Sequence, residues 1–327
     1  MSVPSRLRYW RRLTSAYLLP GKSQLTFWHD TPRAEQGFDT KQVGPYYMRF
    51  DEKADYDGLF DDNGIPMLDY RGSIGPQYNP IAIAQYGLGN YNLFRETSES
   101  SRRQRFLAAA DWLVDNLELH LGGTHVWMHH FDFEYRDMLR APWHSGLAQG
   151  QGLSLLTRAH VETGDRRYEG AAEIAFLAFC SDMPEGGVVH LDDSGQPWVE
   201  EYPASPPTHI LNGFIWGLWG VLDLKLATGN KNSASLWERC STTLASNLDS
   251  FDLGWWSLYD QSGTGKLPMI ASRFYHSLHI TQLEIMAQLT ENSTFSDHAT
   301  LWNAYTHNRI YRTRAFAQKV LFKLLKY

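Results

Sequence analysis

HILNGFIWGLWGVLDLKLATGNKNSASLWERC (residues 209–240) decides the fold. Ile210, Leu211, Phe214, Ile215, Trp216, Leu218, Trp219, Val221 and Leu222 leave almost no polar face at helical spacing, so this helix must be buried all round. LATGNKN, starting at Leu226, is a polar break, and a second helix follows it.

Working outward, similar breaks recur as FRETSES from Phe94, VETGDRR from Val161 and LTENSTF from Leu289, a period of about 65 residues. The helix after the first break carries Phe106, Ala109, Ala110, Leu113, Val114 and Leu117 on one stripe, the mark of a half-buried helix. Wholly buried first helices paired with half-buried second ones predict a mainly α protein. Its expected architecture is an (α/α) toroid of about four helix pairs. Between pairs, 124–136, 186–203 and 254–260 alternate and carry turn residues, as β-hairpins or long loops do. Residues 20–78 favour short strands and turns. The expected division is 1–78, a basic N-terminal helix with a small β-rich region, and 79–327, the catalytic barrel.

Every long insertion precedes a first helix, so all four should emerge at one mouth of the barrel. Helix N-termini also point there and favour anions. The candidates gathered at that mouth are Tyr78, Asn79, Glu134, Tyr135, Arg136, Trp143, Glu201, Tyr202, Tyr259, Arg273, Tyr275 and His276. Aromatic residues make up 14% of the chain, with 12 Trp and 17 Tyr, enough to serve both a core and a sugar-stacking surface. Trp143 and Trp198 suit either use.

The net charge of −6 gives no sign of a nucleic-acid partner, and a polyanion would need a local basic cleft. Cys180 and Cys240 have no metal or redox spacing and read as buried thiols. His125, His129 and His130 lack a carboxylate at ligand spacing, so no metal is expected. No apolar run is as long as a membrane span, and the N-terminus lacks the apolar core of a signal peptide. Arg6, Arg8, Arg11 and Arg12 among Leu7, Tyr9, Trp10 and Leu13 suit a solvated helix or one lying on a membrane surface. The expected location is the cytoplasm, with peripheral membrane contact as the variant.

QYNPIAIAQYGLGNY (77–91), FDFEYRDMLRAPWHSGLAQGQGLSLLTRAH (131–160), EEYPASPPTHILNGFIWGLWGVLDL (200–224) and FYHSLHITQLEIM (274–286) occur in one order. In them the chain resembles the C-terminal domain of D-glucuronyl C5-epimerases acting on heparan-type chains, from about Tyr78 to Gln288. The resemblance implies inversion of C5 in glucuronate residues of a heparosan-like polysaccharide, giving iduronate, with no cofactor, by a homodimer. It implies Glu201, Tyr202, Tyr259 and Tyr275 as catalytic. It also implies Tyr78, Gln85, Tyr135, Arg136, Trp143, Gln149, Asn212, Arg273, His276 and His279 as substrate-binding. Two departures stand out. An arginine-containing stretch after the YD tyrosine is replaced by Gln261-Ser262-Gly263-Thr264-Gly265, and the β-region ahead of the barrel is much reduced.

The residue types suit that reaction. The C5 proton is acidified by the neighbouring carboxylate, so the site must neutralise that group and hold the developing enolate with preorganised donors. Arg273, Arg136 and His276 are the candidate donors, arginine for its planar fork. Inversion needs a base on one face and an acid on the other, roles that a carboxylate and a phenol can fill. Three other functions share these features: a uronate polysaccharide lyase of toroid type, a glycoside hydrolase using Asp132 or Glu134 with Glu201, and a non-catalytic glycan-binding module.

Overall fold

The computed structural model describes residues 27–28, 31–136, 138–262 and 268–326. Four inner helices of eighteen residues each, α2 (Pro80–Thr97), α4 (Gly146–Thr163), α6 (Leu211–Thr228) and α8 (Arg273–Thr290), are followed by outer helices α3 (Ser100–Asp115), α5 (Arg166–Phe176), α7 (Lys231–Asn247) and α9 (Ser293–His307). A short α1 (Asp51–Ala54) precedes them, and α10 (Arg309–Lys326) follows. This is the four-pair toroid expected from the sequence.

The breaks share one chemistry. Thr97, Thr163, Thr228 and Thr290 end the inner helices, each hydroxyl donating to the carbonyl four residues back. The next residue, Ser98, Gly164, Gly229 or Glu291, is left-handed, which stops the helix. Asp165, Asn230 and Asn292 then cap the outer helices through their side chains.

Helix α6 is buried from Leu211 to Leu224, and α4 from Gly146 to Ala159. Their axes approach until backbone meets backbone. A Cβ on Gly150 would lie 2.3 Å from the Gly217 Cα, and one on Gly220 would lie 2.0 Å from the Gly150 carbonyl oxygen. This explains the glycines of AQGQG and FIWGLWG. The outer helices bury one stripe, as Leu236, Trp237, Cys240 and Leu244 do on α7. Helix α8 departs from the all-buried expectation. Its Glu284 is exposed because that flank faces a surface groove beside Asn303, Thr306 and Arg312 instead of a fifth pair.

Ahead of the barrel, β1 (Leu59–Phe60), β2 (Pro66–Asp69) and β3 (Pro76–Gln77) form a small antiparallel sheet. Residues 44–50 instead enter the barrel interior. Tyr46 and Tyr47 pack on Trp219, the Tyr47 hydroxyl donates to Asp223 at 2.7 Å, and the Gly44 carbonyl accepts from Arg158. Arg158 and Asp223 form a fully buried ion pair joining α4 to α6. The insertions are short hairpins, 189–191 with 197–199 among them, while 254–260 contributes only isolated bridges. Cys240 is buried as expected, whereas Cys180 is exposed, because it ends a 3-10 turn at the surface.

Candidate active site

The N-terminal ends of all four inner helices meet around one cavity of about 220 Å³. Asn79, Ile81 and Gln85 reach it from α2 and its cap, Leu147 from α4, Asn212 and Trp216 from α6, and Phe274, Tyr275 and Leu278 from α8. Phe131, Phe133 and Trp143 line it from the second insertion, and Glu201 and Tyr202 from the third. The wall is continued by Met48, Arg49, Phe50, Lys53 and Tyr70 from the N-terminal region. The side chains that fix these ends are N-caps: Asn79 accepts from the Ile81 and Ala82 amides, Ser145 from Ala148 and Ser272 from Tyr275.

Glu201 sits at the start of α6 in a space that only glycine leaves. A Cβ on Gly213 would lie 2.3 Å from its Oε2. The carboxyl is 4% exposed, and burial pushes its pKa up to about 7, partly offset by a hydrogen bond with Tyr202. Its loop is clamped by Glu200, itself buried. Glu200 accepts from the Thr208 and His209 amides and pairs with the His209 ring, and its carbonyl accepts from Gly146. His209 has φ +49 and stacks on Trp198, which lies away from the cavity.

The phenols cluster around the carboxyl. Tyr202 packs at a tilt against Tyr135, and Tyr275 meets Tyr259 edge-on at 4.8 Å. Burial raises all four hydroxyls above their ordinary range, the neighbouring acids adding to it, so they are neutral at pH 7. Tyr259 packs behind Tyr275 instead of lining the cavity, and its hydrogen bond eases part of the upward shift at Tyr275. Its carbonyl accepts from Leu211, which ties it to the start of α6.

Of the remaining sequence candidates, Gln85, Trp143 and Asn212 line the cavity, with Asn212 3.5 Å from Glu201. Gln85 is held by Gln151, and Trp143 stacks on His129. Tyr135 lies one layer back, donating to Asp260. The others are not brought to the cavity wall. Tyr78 packs at a tilt on Trp112 and donates to Asp61 at the surface. Gln149 holds the Trp127 amide and the His125 and Ala175 carbonyls. His276 and His279 are buried on Ser257. Arg273 faces the groove beside α9, and Arg136 reaches the Ser262 carbonyl. Asp132 is paired with Arg140. The sequence reading missed Lys53 and Arg49. Lys53 lies in FDEKA and Arg49 just ahead of it, where the sequence favours short strands and turns and the structure has a single helical turn.

Fold and cavity define an (α/α) toroid whose acid–phenol cluster lies at the N-terminal mouth of its inner helices. A family model, D-glucuronyl C5-epimerase C-terminus, matches residues 122–304, and the chain belongs to that family. It is 31% identical over 218 residues to a Caenorhabditis elegans D-glucuronyl C5-epimerase, covering 62% of this chain and 35% of that protein. It is 27% identical over 180 residues to an uncharacterized protein of Methanocaldococcus jannaschii, covering 54% and 56%. The chain thus spans about a third to a half of the length of these relatives. A solved structure of cellobiose 2-epimerase from Spirochaeta thermophila superposes with TM-score 0.50 at 14% identity, over 92% of this chain and 85% of that one, which shows the shared fold. No helix among the described residues is long and apolar enough to cross a membrane. The basic stretch from Arg6 to Leu13 lies outside the described residues.

Proposed function

We propose that the protein inverts C5 of D-glucuronate to L-iduronate within a heparosan-like polysaccharide. The observation that carries this reading is a single buried carboxyl with its pKa near 7 facing neutral phenols in one cavity. A base must be ionised when substrate binds and still hold a proton once it is taken, and a pKa near the working pH meets both needs. Glu201 as carboxylate accepts the C5 proton, and the electron pair is delocalised into the uronate carboxyl group. A phenol on the other face, Tyr275, gives its O–H proton to C5, completing inversion. The protonated Glu201 and ionised Tyr275 then return to their starting states through solvent, with Tyr259 edge-on against Tyr275 and Tyr202 beside Glu201. Phe133, half-buried in the cavity wall, offers an aromatic surface for a sugar ring, backed by Trp143.

Glu201 is the carboxylate of the cavity wall among the described residues, which weighs against a hydrolase needing two. Residues 79–327 carry the proton transfers in this reading, while Met48, Arg49, Phe50, Lys53 and Tyr70 complete the cavity wall from the region ahead of the barrel. The working form is a homodimer located in the cytoplasm, with the basic N-terminus available for contact with a membrane surface. Proton NMR of heparosan incubated with the protein in D2O tests the activity. The C5 proton signal of glucuronate should fade with chain length unchanged. Shortened chains with a new ultraviolet-absorbing double bond would identify a lyase instead, and binding without exchange a glycan-binding module.

A further inference from the structure

Helix α10 is turned the opposite way from the outer helices of the barrel. Those bury an apolar stripe and show polar residues to solvent, as α7 does. On α10 large apolar side chains face outward. Ile310 is 75% exposed and Phe316 73%, and Val320 and Leu321 are exposed as well. Arg309, Arg312 and Arg314 are exposed beside them. What the helix buries is Ala315 and Phe322, seven residues apart and so on one side of it. That side is held down by specific contacts. The Arg314 guanidinium lies 4.0 Å from the centre of the Trp255 ring, the Lys319 ammonium donates to the Ile270 carbonyl at 2.8 Å, and Tyr311 meets Tyr305 edge-on. The helix is thus fixed to the insertion that carries Tyr259, with its apolar side turned away from the barrel.

The charge of the helix selects what covers that side. Residues 308–327 contain Arg309, Arg312, Arg314, Lys319, Lys323 and Lys326 and neither Asp nor Glu, in a chain whose net charge is −6. The helix is therefore a basic strip on an acidic molecule, and it attracts an anionic surface. A second copy of the chain is disfavoured, because a two-fold pairing of this face sets cations against cations with no carboxylate from either helix. The chain's own basic stretch from Arg6 to Leu13 meets the same repulsion. A free polyanion answers the cations but leaves Ile310, Phe316, Val320 and Leu321 in water. An anionic lipid surface answers both, since headgroups pair with the cations while the apolar side chains enter the boundary of the acyl chains.

We propose that α10 docks the protein on an anionic membrane surface, its axis lying in the plane of the headgroups. The inference goes beyond the epimerase reading and does not depend on it. The full chain is floated with vesicles of one-third phosphatidylglycerol and two-thirds phosphatidylcholine, beside vesicles of phosphatidylcholine alone. Wild type is compared with a double variant, Phe316→Ser with Val320→Ser, that removes apolar area, and with a second, Arg309→Gln with Arg312→Gln, that removes charge. All four side chains are exposed, so both variants should melt as wild type does. Wild type should float with the anionic vesicles, far less with the neutral ones, and should release as sodium chloride rises. Each variant should lose about tenfold or more in partition to the anionic vesicles. Should one variant lose thermal stability, the other decides. Wild type that stays free of anionic vesicles, or floats equally with both kinds, overturns the proposal. So does equal partition of wild type and a natively stable variant, which places the contact on another surface. Light scattering and heparosan binding are measured on the same proteins. A wild-type oligomer broken by the serine variant, with partition unchanged, assigns the face to a second copy and overturns the lipid assignment. Polysaccharide binding lost in the glutamine variant, again with partition unchanged, assigns it to a polyanion with the same result.

Discussion

At the scale of single residues, Glu201 makes a prediction in which stability and activity move apart. Burial raises its pKa from 4.5 to about 7, so the folded state prefers the protonated acid. Stability from this group is intact below pH 4.5 and lost as pH rises through about 7. Glu201→Gln should therefore leave thermal stability unchanged at pH 4 and raise it at pH 8, by up to about 3 kcal/mol, while C5 exchange disappears. Melts of both proteins at the two pH values check it, and equal differences at both would show that the carboxyl is not held protonated. The wild-type exchange rate should rise with pH through about 7 as the base ionises. Tyr275→Phe removes the phenolic proton but keeps the ring against Tyr259, so the fold should persist. Exchange should drop about 10²–10⁴-fold, the usual weight of a positioned acid, and single-turnover kinetics can measure it.

At the scale of elements, the joint between α4 and α6 sets the geometry of the cavity, because Leu147 and Asn212 lie on the first turns of these two helices. Their separation is set by glycines. Gly220→Ala would push a methyl into the Gly150 carbonyl, and backbone cannot swing aside as a side chain can. The expected cost is about 3 kcal/mol, the upper part of the overpacking range, read from urea denaturation. Wild-type stability in this variant would mean that the helices stand further apart than described. The Thr-terminated breaks act at the same scale, giving each inner helix the same length and the same stop.

For the whole molecule, the Arg158–Asp223 pair fastens α4, α6 and the segment entering the barrel into one body. Arg158 also reaches the Gly44 carbonyl, and Tyr47 donates to Asp223. Arg158→Met strands a buried carboxylate and should cost about 3–5 kcal/mol. Adding Asp223→Leu should recover part of that loss, because an apolar pair of similar volume avoids the desolvation of two charges. A double variant no more stable than the single one would show that the pair's hydrogen bonds to segment 44–47 dominate. Since that segment leads into Met48, Arg49, Phe50 and Lys53, loosening it should also weaken substrate binding.

The sequence by itself determined the four helix pairs, because an all-apolar helix followed by a polar break and a striped helix has few other ways to bury its surface. It also determined that the insertions share one mouth, since each precedes an inner helix, and so brought Glu201, Tyr202 and Tyr275 together. Only the tertiary structure decided which polar residues face the cavity. Along an inner helix buried on every side, Gln149 and His276 look the same in sequence as Gln85 and Asn212, and packing alone separates those that hold the scaffold from those that meet the cavity. It likewise decided the ionisation of the site, because the depth that raises Glu201 and keeps the tyrosines neutral comes from all four helix ends at once. Lys53 shows the same limit: its place in the cavity wall is fixed by Gly89, Phe50 and Asn92, contacts that no local pattern records.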